Sequence, residues 1–296
     1  MKNQLYTIST MLMLASCTVS EPAATSNPAA SFTSSIEATR VSGTEWESGD
    51  QVGIMVTSSN SILGDYRYNN CHNVSFTEPS QGIFTAASAA DQIYYSLDES
   101  DYIDFYAYYP YSATLESSDQ SYPISVADQS EPRKIDFMEA STRSDGSDGY
   151  NKNSGTVPLD FSRNMAKITL ILKAGDGVEL SDISAITFEG FYTSATYDFP
   201  TNTFVEFGGN SVSITPYDAG NDTYSAILIP ENAANHKVYF ATPHGEISID
   251  LTEYTLTRGH HLGFTVTVSQ TAATYEQNTI NDWDEAEILD DTLEIE

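Results

Sequence analysis

The feature that limits this chain most is its punctuation. From Gln51 onward, apolar residues come in short runs of about four to eight, each closed by Gly, Asn, Asp or Pro, with no sustained helical period. In the first half Gln51–Val56, Val74–Thr77, Ile83–Thr85, Gln92–Tyr95, Tyr102–Tyr109 and Tyr122–Ala127 read as strands. After a polar stretch, Ser141–Gly155 (STRSDGSDGYNKNSG), the pattern restarts with Val157–Phe161, Ile168–Lys173, Ile183–Gly190, Thr196–Phe199 and Thr203–Phe207. Val212–Thr215, Tyr224–Ile229, Lys237–Ala241, Glu246–Leu251 and Phe264–Val268 complete it. Two such series joined by a Gly/Ser/Asp/Asn-rich connection predict an all-β protein of two tandem β-sandwich domains, at residues 32–154 and 155–283. A length of 296 residues suits that number of domains.

Ahead of these series lies Ser31–Asp50, SFTSSIEATR followed by VSGTEWESGD. Phe32, Ile36 and Ala38 fall on one face, interrupted by Ser34, while Thr33, Ser35, Glu37 and Thr39 fall on the other. That alternation predicts a half-buried strand. Arg40 follows it, then a turn at Gly43 and the indole of Trp46. By themselves these residues describe a first strand, an exposed basic residue and a turn.

Forty-two acidic against 12 basic residues give a formal net charge of −30. Such a chain is repelled by nucleic acid and by anionic membrane surfaces, so neither is expected as a partner. The excess of acid also favours solubility. Few Lys and Arg residues leave few bonds for a trypsin-like protease, so each exposed one matters.

Met1–Cys17 reads as an export signal: Lys2 supplies a thin positive end, and Leu5–Ala15 is largely apolar. Leu14-Ala15-Ser16-Cys17 looks like a bacterial lipobox, which predicts a signal peptide at 1–16 and acylation of Cys17. Residues 17–31 are then a lipidated tether to the outer membrane. Only Cys71 remains afterwards, so no intramolecular disulfide is expected in the mature chain. His72 beside it would point to the opposite face of a strand, which argues against a metal pair. His260 and His261 diverge in the same way. Asp145 and Asp148 lack the spacing of a calcium loop. No nucleophile elbow, His-Glu-x-x-His, phosphate loop or Cys-x-x-Cys is present. The reading is of a non-enzyme without cofactor or metal.

Several segments carry a family resemblance. Thr39-Arg40-Val41-Ser42-Gly43-Thr44-x-Trp46-x-x-Gly49-Asp50-x-Val52-Gly53 resembles the opening of the fimbrillin-like family, the subunits of type V pili. Phe105-Tyr106-Ala107-Tyr108-Tyr109-Pro110-Tyr111 is similar to another of its signatures. A string of tyrosines could be a sugar-stacking platform, but a central strand with aromatics on both faces is the commoner case. Phe161-Ser162-Arg163-Asn164-Met165-Ala166-Lys167 resembles the family's second-domain opening, where a histidine usually stands in place of Arg163. Ala226–Pro230, Leu256–Gly259 and Asn281–Trp283 complete the series, so the likeness runs from Cys17 to Trp283.

The resemblance implies two transthyretin-like sandwiches and a life cycle. A lipoprotein precursor reaches the outer membrane, a trypsin-like protease cuts after Arg40, and the first strand (Phe32, Ile36, Ala38) leaves. A strand from another fimbrial subunit, identical or paralogous, then fills the groove. A replacement strand is visible in the acidic tail, residues 284–296, where Leu289, Leu293 and Ile295 share a face interrupted by Asp291. A merely disordered acidic tail reads equally well. The expected function is a structural fimbrial subunit supporting adhesion at the cell surface. The alternative is a surface lipoprotein that binds glycans and never polymerises.

Overall fold

The computed structural model describes residues 27–36, 46–59, 61, 71–80, 82–116, 120–143, 149–231 and 235–278. Two apolar strands, β2 (Gln51–Ser58) and β5 (Ile103–Tyr109), lie side by side and are buried on both faces. Around them run β1 (Phe32–Ile36), β3 (Val74–Ser80), β4 (Ile83–Ala86), β7 (Met138–Ser141) and β8 (Val157–Arg163). These seven close into a barrel in the order β1-β4-β3-β2-β5-β7-β8. The strand omitted, β6 (Ser121–Ser125), leaves the barrel and pairs elsewhere.

Alternation in β2 and β5 explains why both faces are apolar. Val52, Ile54 and Val56, with Ile103, Phe105, Ala107 and Tyr109, fill the barrel. Met55 and Tyr108 point outward into a second core, against which Tyr106 also packs. The tyrosine string thus divides by parity, one set filling the barrel and the other covering it. Tyr108 needs space to do so: a Cβ on Gly53 would lie 2.2 Å from its ring, so only glycine fits opposite it. Outside the barrel wall Tyr106, Tyr108, Tyr122, Phe137, Tyr197 and Phe199 form a connected aromatic cluster, with Phe137–Tyr197 ring centroids 4.7 Å apart.

The second core lies among three sheets. A five-stranded sheet has the order β13-β14-β9-β17-β18, built from Tyr217–Gly220, Thr223–Leu228, Ala166–Ala174, His261–Val268 and Ala273–Asn278. A second has β10 (Ala185–Glu189), β15 (Lys237–Thr242) and β16 (Gly245–Asp250). The third is β12 (Thr203–Gly208), β11 (Ser194–Asp198) and β6. The connection between β6 and β7, with its short helix α1 (Pro132–Ile135), docks on β14. There the Gln129 side-chain amide stands in for a missing strand: it donates to Ile227 O at 2.9 Å and accepts from Ile227 N at 2.8 Å.

Sheet pairing does not follow the division expected near Ser154. Val157–Arg163, expected to open the second domain, is a barrel strand between β7 and β1. Ser121–Ser125, expected in the first domain, pairs with β11 of the second core. The polar linker therefore joins two neighbouring strands of one barrel, and a cut at Arg143 would nick the barrel without parting the two cores. Arg163, the departure from the family pattern, has a packing role: its buried guanidinium pairs with buried Asp136. A further polar cluster ties the barrel to the second core. Glu139 on β7 accepts from Tyr106 and from Tyr197 (2.7 Å), and Arg258 reaches Glu139 (3.0 Å), Asn164 and Asn202. Burial pushes the Glu139 carboxyl up, against the opposing pull of Tyr197 and Arg258.

Candidate functional site

One strand closes the barrel. β1 pairs parallel with β8, in the register Phe32↔Val157 to Ile36↔Phe161, and antiparallel with β4 at Phe32↔Phe84 and Thr33↔Ile83. Its partner β8 lies 125 residues away in sequence at this register. Lifting β1 out would turn a closed barrel into a six-stranded sheet with β4 and β8 as open edges.

The seat of β1 has a graded interior. Phe32 is 1% exposed and lies edge-on to Phe76 and Phe105, both at 5.0 Å. Ser34 takes the next inward position, donating its backbone N–H to Gly82 O at 2.7 Å and its hydroxyl to the same oxygen at 3.2 Å. Ile36 follows, half-buried, against the first core. Outward, Ser35 donates to Asp160 at 2.5 Å and Ser31 to the Thr156 hydroxyl at 3.2 Å. Pairing begins earlier than the alternation suggested. Ala29 bridges to Tyr94, Tyr95 N donates to Pro28 O at 2.8 Å, Ala30 N donates to Ile93 O at 2.9 Å, and Ala30 is buried. The seated segment is therefore Pro28–Ile36, which takes in residues expected to be tether.

Two further features shape this seat, the second of which, Glu78 with Gly82, carried no sequence signal. Trp46 stands edge-on to Phe84, Tyr109 and Phe161, so it packs on rings from both strands that flank β1. The Gly49-Asp50 turn that follows is fixed by Asp50, which accepts from Glu47 N (2.9 Å), Tyr109 (3.1 Å) and Arg133 (3.1 Å). Glu78 on β3 is wholly buried; one oxygen accepts from Gly82 N at 2.7 Å, and the other has no hydrogen-bond partner among the described residues. Glu78 thereby holds the glycine whose carbonyl receives Ser34. Gly82 has φ +72°, and a Cβ there would meet Ser34 O at 2.7 Å, so backbone conformation and the closeness of β1 both require glycine.

Of the residues singled out from sequence, Phe32 and Ile36 sit on the inward face of β1 as expected. Cys17, Ala38, Arg40, Leu289, Leu293 and Ile295 lie outside the described residues. Cys71 is a free, partly buried thiol, and His261 contacts the Thr169 hydroxyl at 2.8 Å across neighbouring strands. Among the described residues no group of three or more His, Cys, Asp or Glu is placed to hold a metal. The arrangement offers an extended peptide a slot with two hydrogen-bonding edges and one deep aromatic pocket.

Comparison with known proteins gives this slot a context. The profile of a family described as Fimbrillin-like matches residues 39–283. A Bacteroides uniformis protein named "Putative fimbrium subunit Fim1C" is 26% identical over 257 residues, covering 83% of this chain and 81% of that one. A crystal structure of a "putative cell adhesion protein" from Bacteroides uniformis superposes with a TM-score of 0.71 at 24% identity, covering 87% of this chain and 99% of that one. The tip fimbrial protein Mfa3 from Porphyromonas gingivalis, with C-terminal truncation, shares the fold at a TM-score of 0.51 and 9% identity, covering 87% and 100%.

Proposed function

The chain belongs to the fimbrillin-like family, and from that premise we propose that it is a structural subunit of a cell-surface fimbria, assembled by exchange of its first strand. The observation that carries this reading is that, among the described residues, β1 alone joins β4 to β8. Its loss would expose two strand edges and the Phe32 pocket together, and an open edge beside an empty apolar pocket is an association site. In this reading Cys17 is lipidated for export to the outer membrane, and a trypsin-like protease cuts after Arg40. A neighbour's tail, residues 284–296, then supplies Leu289, Leu293 and Ile295 where Phe32, Ile36 and Ala38 had been. In this reading the barrel and the three-sheet second core would be the family's two transthyretin-like units, with β8 and β6 crossing the division expected at residue 154.

The test is digestion with an arginine-specific protease, read by product mass and assembly state. Assembled material should begin at Val41; material beginning at Cys17 or Ser144 overturns the assignment. Arg40→Ala should remain an unassembled precursor. Deleting the residues after Trp283 should give a processed monomer, and filaments from that variant would place the donor elsewhere. Cys17→Ala should lose both the lipid mass and the membrane fraction.

A further inference from the structure

A second cleft, which shares the Glu47–Asp50 turn with the β1 seat but does not contain β1, lies at the end of the barrel that faces the five-stranded sheet. A cleft of about 420 Å³ opens between the Glu47–Asp50 turn with Tyr109, the Ser130–Lys134 segment, and one face of β9, β13 and β14. That volume falls within the roughly 300–1,000 Å³ of small-molecule sites. Its floor is hydroxylic: Thr169, Thr223 and Ser225 alternate along β9 and β14 toward the cleft, joined by Ser130. Its outer wall is Tyr217, a tyrosine 40% exposed on the edge strand β13.

Charge decides what such a cleft would hold. In a chain of net charge −30, its walls are balanced, with Glu47, Asp50 and Glu131 against Arg133, Lys134 and Lys167. Arg133 is engaged by Glu47 (3.3 Å) and Asp50 (3.1 Å), and Lys134 by Glu131 (2.6 Å). An anionic ligand would have to compete with carboxylates already in place, and a cation would find guanidinium and ammonium groups in its path. Purely apolar ligands would cover the Ser130 and Ser225 hydroxyls without offering them a partner; those of Thr169 and Thr223 are already held by His261 (2.8 Å) and Asn221 O (3.3 Å). A neutral, hydroxyl-rich ring fits all three constraints. Paired planar groups such as Arg133 and Asp50 can exchange hydrogen bonds with adjacent hydroxyls, and an exposed aromatic face can cover the ring's C–H side.

We propose that this cleft is a carbohydrate-binding site that takes a neutral saccharide against Tyr217. The inference stands on the cleft alone and does not depend on strand exchange, because the precursor with β1 seated already contains it.

The experiment is saturation-transfer NMR on the intact full chain. The probes are neutral trisaccharides of hexoses, of N-acetylhexosamines and of pentoses, with sialyllactose as the anionic comparison. At least one neutral probe should receive saturation and sialyllactose should not compete for it. Tyr217→Ala should weaken that binding roughly tenfold or more, while Tyr217→Phe, which keeps the ring, should retain it. Both variants should melt like the parent, since the side chain is exposed. Absence of transfer to every neutral probe, displacement by sialyllactose, or undiminished binding by Tyr217→Ala would each overturn the proposal.

Discussion

The seat of β1 predicts how tightly a strand should rebind once the covalent link is gone. Consider a variant that begins at Val41 and ends at Trp283, supplied with a synthetic peptide of residues 28–39. The peptide should restore the melting temperature of the unprocessed chain, and calorimetry should give its affinity. Phe32 is buried among Phe76 and Phe105 at 5.0 Å centroid distances. Truncating a core phenylalanine costs about 3–5 kcal/mol, so the Phe32→Ala peptide should bind weaker by roughly two to three and a half orders of magnitude. Thr33 faces solvent, and Thr33→Ala should cost less than about 0.5 kcal/mol, a change of roughly twofold. A Phe32→Ala peptide that rebinds within about tenfold of the parent would refute the argument that this pocket anchors the strand.

Two further outcomes follow from the same geometry. Gly82→Ala would be strained by its positive φ and would press on Ser34 O; hydrogen exchange of Ser34 N–H should accelerate by tenfold or more, roughly, while amides of β9 stay protected. Burial raises the Tyr95 and Tyr122 hydroxyls to about 12 and moves Tyr108, Tyr109 and Tyr197 upward as well. Because a folded-state value is raised above the unfolded value near 10, stability is fully present below about pH 10 and falls as pH climbs through 10 toward 12. Tyrosinate absorbance from these groups should therefore appear together with loss of the β-sheet signal, and their gradual ionisation near pH 10 in an intact fold would contradict the burial argument.

How much of this was legible in the sequence depended on whether the signal was local. Alternation placed Phe32 and Ile36 on one face and divided the Tyr102–Tyr109 string between two faces, because side-chain parity is a property of the strand itself. Short or weakly patterned strands escaped: Met138–Ser141, Tyr217–Gly220 and Ala273–Asn278 lack clear runs of β-branched residues. Gln92–Tyr95 and Val212–Thr215, read as strands, make only isolated bridges at Tyr94 and Ile214. Pairing was not legible at all. Nothing within Val157–Arg163 says that its neighbour is a strand 125 residues earlier, nor that Arg258 meets Glu139 across 119 residues. The polar linker looked like a boundary because its composition is that of any solvated connection, including one between adjacent barrel strands. At the β1 seat, Glu78 and Gly82 carried no motif; their roles arise only where β1 is laid against them.

The seat also bears on why proteolysis would be the control point in the proposed assembly. Its inward positions run large, polar, half-buried apolar: Phe32, Ser34, Ile36. In the tail, Leu289, Asp291 and Leu293 repeat that order at the same two-residue period. The middle positions differ in chemistry. Ser34 donates to Gly82 O, whereas an ionised Asp291 could only accept and would face a carbonyl. Leucine also fills less of an aromatic pocket than phenylalanine does. On both counts the tail complements the slot less well than β1, and β1 has the further advantage of being tethered to its own barrel, which gives it a high effective concentration. A free tail competing with an attached β1 would lose. In the proposed assembly, cutting after Arg40 would remove the tether, so that loss of β1 would become irreversible by dilution, and only then could a weaker but persistent strand from the next subunit take the slot.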